Sequence, residues 1–288
     1  MIINLISNLD ENAKIEKLYN FNHVVAWSLR EAFEKRGIEG RLVKDRLLAK
    51  CKVPRADHSI VISSIGMKLI RATDHAKKLC REHLRAVTTG KMTLYLDSDF
   101  GRWGKIFDCV FTLAKPQRLR PKYFYAGWGA NPEFFYPEQN ERAVYLDSLM
   151  YGKYDNKFNH IYDIYTKMMA ETDLTILFPI PVYDKRYNLI YWPDLQKIIR
   201  KSHYYCCTQL GEGGLTRIEA ATCGALLVVP KELYRPKTME TLEHKIWETK
   251  DELMDILSTE TDVEAIRKTA LKHSWDKVAE RMLATLED

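Results

Sequence analysis

The sequence predicts an α/β chain built from two Rossmann-like, doubly wound halves facing a central cleft. Three observations predict it. Short apolar, β-prone runs alternate with helical runs through the first part of the chain, the spacing of a parallel sheet. A break rich in glycine and proline, GWGANPEFFYP from Gly127 to Pro137, interrupts the alternation, which restarts at Arg142. Then His203 to Pro230 reads as strand, glycine loop, helix, glycine cap and strand. The boundary is placed near residue 140, giving domains 1–140 and 141–288 of the 288-residue chain.

The elements follow in order. The opening MIINLIS is a buried strand, and a helix over residues 22–36 lines up Val25, Leu29 and Phe33 before Gly37 ends it. Strands are expected at 42–43, 59–63, 93–96, 107–113 and 123–126, with a long helix over 67–87. In the second half, strands are expected at 143–146 and 174–178, and helices at 158–169 and 193–201. Residues 189–192 make a short apolar piece, and terminal helices cover 250–257 and 263–286.

The stretch that organises the second half is GEGGLTRIEAATCGALLVVP, preceded by the β-prone HYYCCTQ. Gly211, Gly213 and Gly214 let backbone approach a ligand closely. Thr216 to Thr222 forms a helix with Ile218 and Ala221 inward, and Gly224 is a natural left-handed cap. Free N–H groups and the helix dipole make the start of such a helix an anion site. Arg217 in its first turn suits a diphosphate, and Glu219 suits a ribose diol. An ordinary β-α-β unit with an exposed Arg and Glu fits the same residues equally well.

Composition narrows the class. Hydrophobic residues make up 46% and charged ones 29%, as in ordinary globular chains. No apolar run approaches the roughly 20 residues of a membrane span. The N-terminus lacks the basic start and apolar core of a signal peptide, so a cytoplasmic protein is expected. Six scattered cysteines read as reduced core thiols, and eight histidines show no zinc-ligand spacing. No G-x-G-x-x-G follows the first strand, which argues against a dinucleotide oxidoreductase. The net charge of +5 is uneven. Residues 1–140 hold 24 basic and 15 acidic side chains, against 20 and 24 in residues 141–288. Such asymmetry points to a polyanionic partner for the first half, with plain solvated surface as the competing explanation.

The organising stretch resembles the donor-binding motif of GT-B glycosyltransferases, in which an acidic residue, a glycine-rich loop, a second Glu and a Cys-Gly precede a strand. Here Glu212 and Glu219 are seven apart, one fewer than the common spacing. GWGANPEFFYP resembles the interdomain segment of that family, and HSWDKVAERML (273–283) resembles its closing helix, which often crosses back to the first domain. KMTLYLDSD, residues 91–99, is similar to a strand of the T-even phage DNA β-glucosyltransferases.

Asp97 and Asp99 close an expected strand, where carboxylates face the cleft of a doubly wound sheet and can take an acceptor proton. The phage resemblance implies that Asp99, or else Asp97, is that base. The same YLDSD also looks like a metal-binding D-x-D, which would hold Mg or Mn against a diphosphate; metal use stays open. Ser148, Gly152 and Lys153 form a loop able to hold phosphate oxygens, while Tyr191 and Trp192 fall where the family contacts the donor base. Gly213, Gly214 and Thr216 complete the donor set. Arg71, Lys78, Arg81 and Arg85 form a basic helical stripe, and Arg118 and Arg120 a second cluster, for the acceptor.

The resemblance thus implies a monomeric glycosyltransferase moving a sugar from a UDP-sugar, UDP-glucose favoured. Its leading acceptor is a hydroxymethylated pyrimidine in double-stranded phage DNA, which would place the protein in the host cytoplasm. A cell-surface glycan or small molecule is the other acceptor class. A non-catalytic nucleic-acid-binding protein is the reading from outside the enzymes.

Overall fold

The structure, a computed structural model, describes residues 1–9, 11–15, 18, 21–62, 74–96, 106–112, 122–138, 142–146, 159–177, 192–208, 215–234 and 242–288. These form two compact units, Met1–Gly127 with Trp275–Asp288, and Trp128–Ser274.

In the first unit β1 (Ile2–Ser7), β2 (Glu39–Lys44), β3 (His58–Ile62), β4 (Met92–Leu96), β5 (Cys109–Thr112) and β6 (Tyr123–Tyr125) form a parallel sheet ordered β2-β1-β3-β4-β5-β6. Every described residue of β1 after Ile2 is buried, because IINLIS carries apolar side chains on both faces, as a strand covered on both sides must. Leu5 lies between Leu42 of β2 and Ile60 of β3. Its described helices before residue 128 are α1 (Phe21–Glu34), α2 (Asp45–Ala49) and α3 (Asp74–Val87). Val25, Leu29 and Phe33 of α1 are fully buried, and Gly37 at φ +71° turns the chain out of the helix.

In the second unit β7 (Ala143–Leu146), β8 (Thr175–Leu177), β9 (Tyr204–Cys206), β10 (Leu226–Pro230) and β11 (His244–Trp247) form a parallel sheet ordered β11-β10-β9-β7-β8. With them run α4 (Asn159–Met169), α5 (Trp192–Ile199), α6 (Leu215–Thr222), α7 (Lys250–Ser258) and α8 (Val263–Ala270). Counted from its own first strand, this sheet has the order 2-1-3-4-5, that of the first five strands of the first sheet. In such sheets ligands bind beyond the carboxyl ends of the strands, where the winding reverses on either side of the first strand. In the second unit that place lies between β7 and β9.

The single helix expected over residues 263–286 is broken in the structure. A 3-10 turn, Leu271–His273, and an extended Ser274 separate α8 from α9 (Trp275–Glu287). The break lets Ser274 pair with Ala130, whose N–H donates to the His273 carbonyl at 2.9 Å. Helix α9 packs within the first unit. Arg36 donates to the Asp276 carboxylate and carbonyl, and Arg281 donates to the Ala126 carbonyl through Nε (2.8 Å) and Nη2 (2.5 Å).

Candidate functional site

Helix α6 begins at Leu215, with six residues of sequence between it and the described end of the β9 segment, Thr208. It has no solvent-facing stripe: Arg217, Ile218, Glu219, Ala220, Ala221 and Thr222 are all buried. An eight-residue helix that buries an arginine and a glutamate together is unusual, because burying either charge is costly unless the group is paired or neutralised. Its end is fixed tightly. The N–H groups of Cys223, Gly224 and Ala225 donate back to carbonyls of α6, and Gly224 sits at φ +82°. A Cβ on Gly224 would lie 2.4 Å from the Val263 side chain, so this position needs glycine both for conformation and for space.

Glu219 is 1% exposed, and its Oε1 accepts a hydrogen bond from the indole Nε1–H of Trp192 at 2.9 Å. Burial pushes its carboxyl up to about 8, against the smaller opposing effect of the indole donor. The carboxyl is therefore largely protonated at neutral pH. Perturbed carboxyls of this kind cluster at functional sites.

Trp192 opens α5 and is 3% exposed. Its ring meets Phe134 edge-on at 5.6 Å and Phe135 at 5.7 Å. Each contact adds roughly 0.5–1.5 kcal/mol beyond burial. Both phenylalanines belong to the segment GWGANPEFFYP. There Asn131 builds a turn, its Oδ1 accepting from Glu133 N–H (2.9 Å) and its carbonyl from Phe134 and Phe135 N–H (3.1 and 2.9 Å). Arg200 Nε donates to the Phe134 carbonyl at 2.6 Å, and the Arg200 guanidinium lies over the Tyr136 ring at 4.0 Å. Arg267 Nη1 donates to the Phe135 carbonyl at 2.9 Å and also to the carbonyl of Thr222, the last residue of α6.

The structure brings Trp192 and Glu219 together and separates Arg217 from Glu219. Two positions apart on a helix is about 200° of rotation, so the two side chains leave α6 on nearly opposite sides. Thr216 is partly exposed in the first turn. Trp192, read from sequence as a flat surface for the donor base, has its ring against Phe134 and Phe135 and its one donor on Glu219. Sequence reasoning missed that pairing. Its only signal was an aromatic pair in the segment before the second sheet and a Trp at the start of an amphipathic helix. Ser148, Gly152, Lys153, Tyr191, Gly213 and Gly214 lie outside the described residues, as do Glu212, Asp97, Asp99, Arg71, Arg118 and Arg120.

Lys78, Arg81 and Arg85 are exposed on α3. Lys78 lies 3.8 Å from Glu82, and Arg85 Nη2 donates to Asp108 Oδ1 at 2.6 Å. Asp108 Oδ2 also accepts from the Met92 N–H at 2.9 Å, at the start of β4. Arg85 is therefore held at the amino edge of the first sheet, the opposite end from the carboxyl termini where ligands bind. Among the described residues no group of three or more His, Cys, Asp or Glu could hold a metal ion. No helix among them is long and apolar enough to cross a membrane.

No protein-family model matches the sequence, and no curated protein matches it. Solved structures do match in shape. Sucrose-phosphate synthase from Thermosynechococcus elongatus superposes with a TM-score of 0.62 at 13% identity, over 99% of this chain and 98% of that one. Anabaena HepE, solved with UDP and glucose, gives 0.56 at 11% identity over 99% of both chains. A glycosyltransferase from Rickettsia africae gives 0.54 at 11% identity, over 99% of this chain and 97% of the other. The chain therefore has the fold of the GT-B glycosyltransferases, two parallel-sheet α/β domains.

Proposed function

We propose that this chain is a glycosyltransferase that moves a sugar, glucose favoured, from a UDP-sugar to a hydroxyl acceptor. The observation that carries this reading is Glu219, a buried and largely neutral carboxyl on the helix that follows β9, oriented by Trp192. A carboxyl in that position suits the hydroxyl pair of a nucleotide ribose, and the HepE structure holding UDP and glucose supports the same donor. In this reading the second unit takes the donor and the first unit the acceptor. Arg217, with Lys153, stabilises the charge that develops on the leaving diphosphate. Asp99, or Asp97, accepts the proton of the acceptor hydroxyl.

For the acceptor we propose a hydroxymethylated pyrimidine in duplex DNA, swung out of the helix to reach the proton-accepting carboxylate. The basic excess of residues 1–140 supports it, and Lys78 and Arg81 on α3 offer phosphate contacts. A small hydroxyl acceptor is the second reading. It is favoured by the fold shared with sucrose-phosphate synthase and with a glycosyltransferase of avilamycin biosynthesis.

Labelled UDP-sugars incubated with the protein and duplexes containing hydroxymethylcytosine, hydroxymethyluracil or neither provide the test. Label on hydroxymethylated duplex alone is the expected result. Donor hydrolysis or transfer to simple sugars without label on any DNA would overturn the DNA acceptor and keep the transferase. No binding or turnover of any nucleotide-sugar would overturn both.

A further inference from the structure

Taking α6 as the donor helix, the contacts of its carboxyl can be followed outward. A protonated carboxyl group has one O–H donor and keeps acceptor capacity on its oxygens. One oxygen of Glu219 is already engaged by the Trp192 indole N–H at 2.9 Å, which fixes the plane of the group. The second oxygen then has a defined direction in which to meet a diol. Trp192 is itself held. Its ring is bounded by Phe134 and Phe135, and the carbonyls of those two residues are tied down by Arg200 and Arg267. Arg267 Nη1 also reaches the carbonyl of Thr222, three residues after Glu219 on the same helix. The contacts therefore close on themselves: Glu219 to Trp192, Trp192 to Phe135, Phe135 to Arg267, and Arg267 back to α6.

We propose that Trp192 is a positioning residue for nucleotide binding. Its indole N–H aims the Glu219 carboxyl at the ribose hydroxyls of the donor, and the Phe134–Phe135 pair keeps the indole in place. This goes beyond the donor reading, on which it rests, by assigning the orientation of the ribose contact to a residue that need not touch the nucleotide. A carboxyl buried without that donor would be free to rotate, and its alignment would have to be restored on each binding event. The aromatic pair also gives FFYP a role: a backbone-anchored rest for the indole.

The test compares UDP with 2′,3′-dideoxy-UDP by titration calorimetry. Trp192→Phe keeps an aromatic ring and removes the N–H together with part of the ring, and the dideoxy nucleotide separates the two losses. The substitution should weaken UDP about 5- to 10-fold, as expected for the loss of one orienting hydrogen bond. Dideoxy-UDP, which lacks the hydroxyls, should bind the variant and the native protein equally. In donor hydrolysis the KM for UDP-sugar should rise by a similar factor with kcat within twofold. Phe134→Leu, which loosens the rest and keeps the N–H, should give a smaller loss with the same selectivity, and stands in if Trp192→Phe does not fold. Equal weakening of both nucleotides would make Trp192 a packing residue and overturn the proposal, as would unchanged UDP affinity. Native protein that binds no UDP overturns the donor reading, a result separate from either of these.

Discussion

Glu219 in the second unit and Asp108 in the first are both carboxyls gripped by hydrogen bonds, and their surroundings drive them in opposite directions. Glu219 is wholly buried with one neutral donor, and burial raises it to about 8. Burial also acts to raise Asp108. There it is outweighed by the Arg85 hydrogen bond, the Met92 N–H and the charges of Arg85 and Lys122, which together hold the carboxyl below its usual range. The positions differ as well. Asp108 joins the amino edges of β4 and β5, while Glu219 rides on the helix after β9. The lesson is that a carboxyl supplied with several donors is a staple, already satisfied by the fold. One buried with a single neutral donor costs stability and has acceptor capacity left, which is the condition of a group kept for a ligand.

The largest expected effect tests that reading directly. Replacing Glu219 by Ala should lower UDP affinity about 30-fold. Hydrogen bonds to a neutral group contribute about 1 kcal/mol each, and two ribose hydroxyls are at stake. Asp108→Ala should leave UDP affinity within twofold. Calorimetry on both variants breaks the comparison if the two weaken binding alike, or if Glu219→Ala weakens it by less than about fivefold.

Stability should move the opposite way. The folded-state value of Glu219 lies above that of an unfolded glutamate, so the folded protein holds a proton that the unfolded chain releases above its ordinary value of 4.5. Stability from this group is thus fully present below about pH 4.5 and is lost as pH rises toward about 8. By pH 7 the loss amounts to roughly 3 kcal/mol, at about 1.4 kcal/mol per pH unit. Glu219→Gln should remove that slope and raise the melting temperature at pH 7 to 8, even as it weakens nucleotide binding. Parallel melts from pH 5 to 9 check it. A variant less stable than the native protein at pH 8 would show that the carboxyl is structural.

Much of this frame was legible in the sequence because its signals are local. IINLIS, the stretch LTRIEAATCGALLVVP and the cap at Gly224 each carry their own periodicity or glycine, and the structure places elements there. Other features have no local trace. The strand His244–Trp247 runs along the edge of its sheet with Lys245 and Ile246 exposed, so it lacks the continuous apolar run of its neighbours. The end of α8 at Ala270 depends on Ser274 pairing with Ala130, over a hundred residues away. The pairing of Trp192 with Glu219 spans 27 residues and that of Arg85 with Asp108 spans 23, and nothing in the composition around either announces them. A stripe of arginines looks the same in sequence whether it faces solvent or holds a carboxylate.

Asp108 offers the finer contrast. Its stability contribution is present above the unfolded value near 3.8 and lost as pH falls through the lower folded value, the reverse of Glu219. Asp108→Asn keeps one acceptor for Met92 or Arg85 and removes the charge. It should cost about 1 kcal/mol at pH 7 in urea unfolding. That difference should shrink as pH falls through the lowered folded value, where the native carboxyl itself takes up a proton. A cost that does not shrink on acidification would assign the effect to shape, and Asp108 would cease to be the electrostatic staple of the pair.

The smallest effect concerns Arg85, whose side chain is 51% exposed. Water and salt screen a pair so placed, so Arg85→Ala should cost only about 0.5 kcal/mol, less than Asp108→Asn, and the difference should shrink further in 1 M salt. The same variant sharpens the acceptor assignment. If duplex DNA is the acceptor, as proposed, a residue held at the amino edge of the sheet should add little to its binding, so the dependence of DNA affinity on salt should keep its slope. Replacing Lys78 or Arg81 by Ala should instead reduce that slope by about one for each phosphate no longer neutralised. If Arg85→Ala lowers the slope and Lys78→Ala does not, the ion pair with Asp108 is no barrier to binding and the basic face of α3 must be used along its far end.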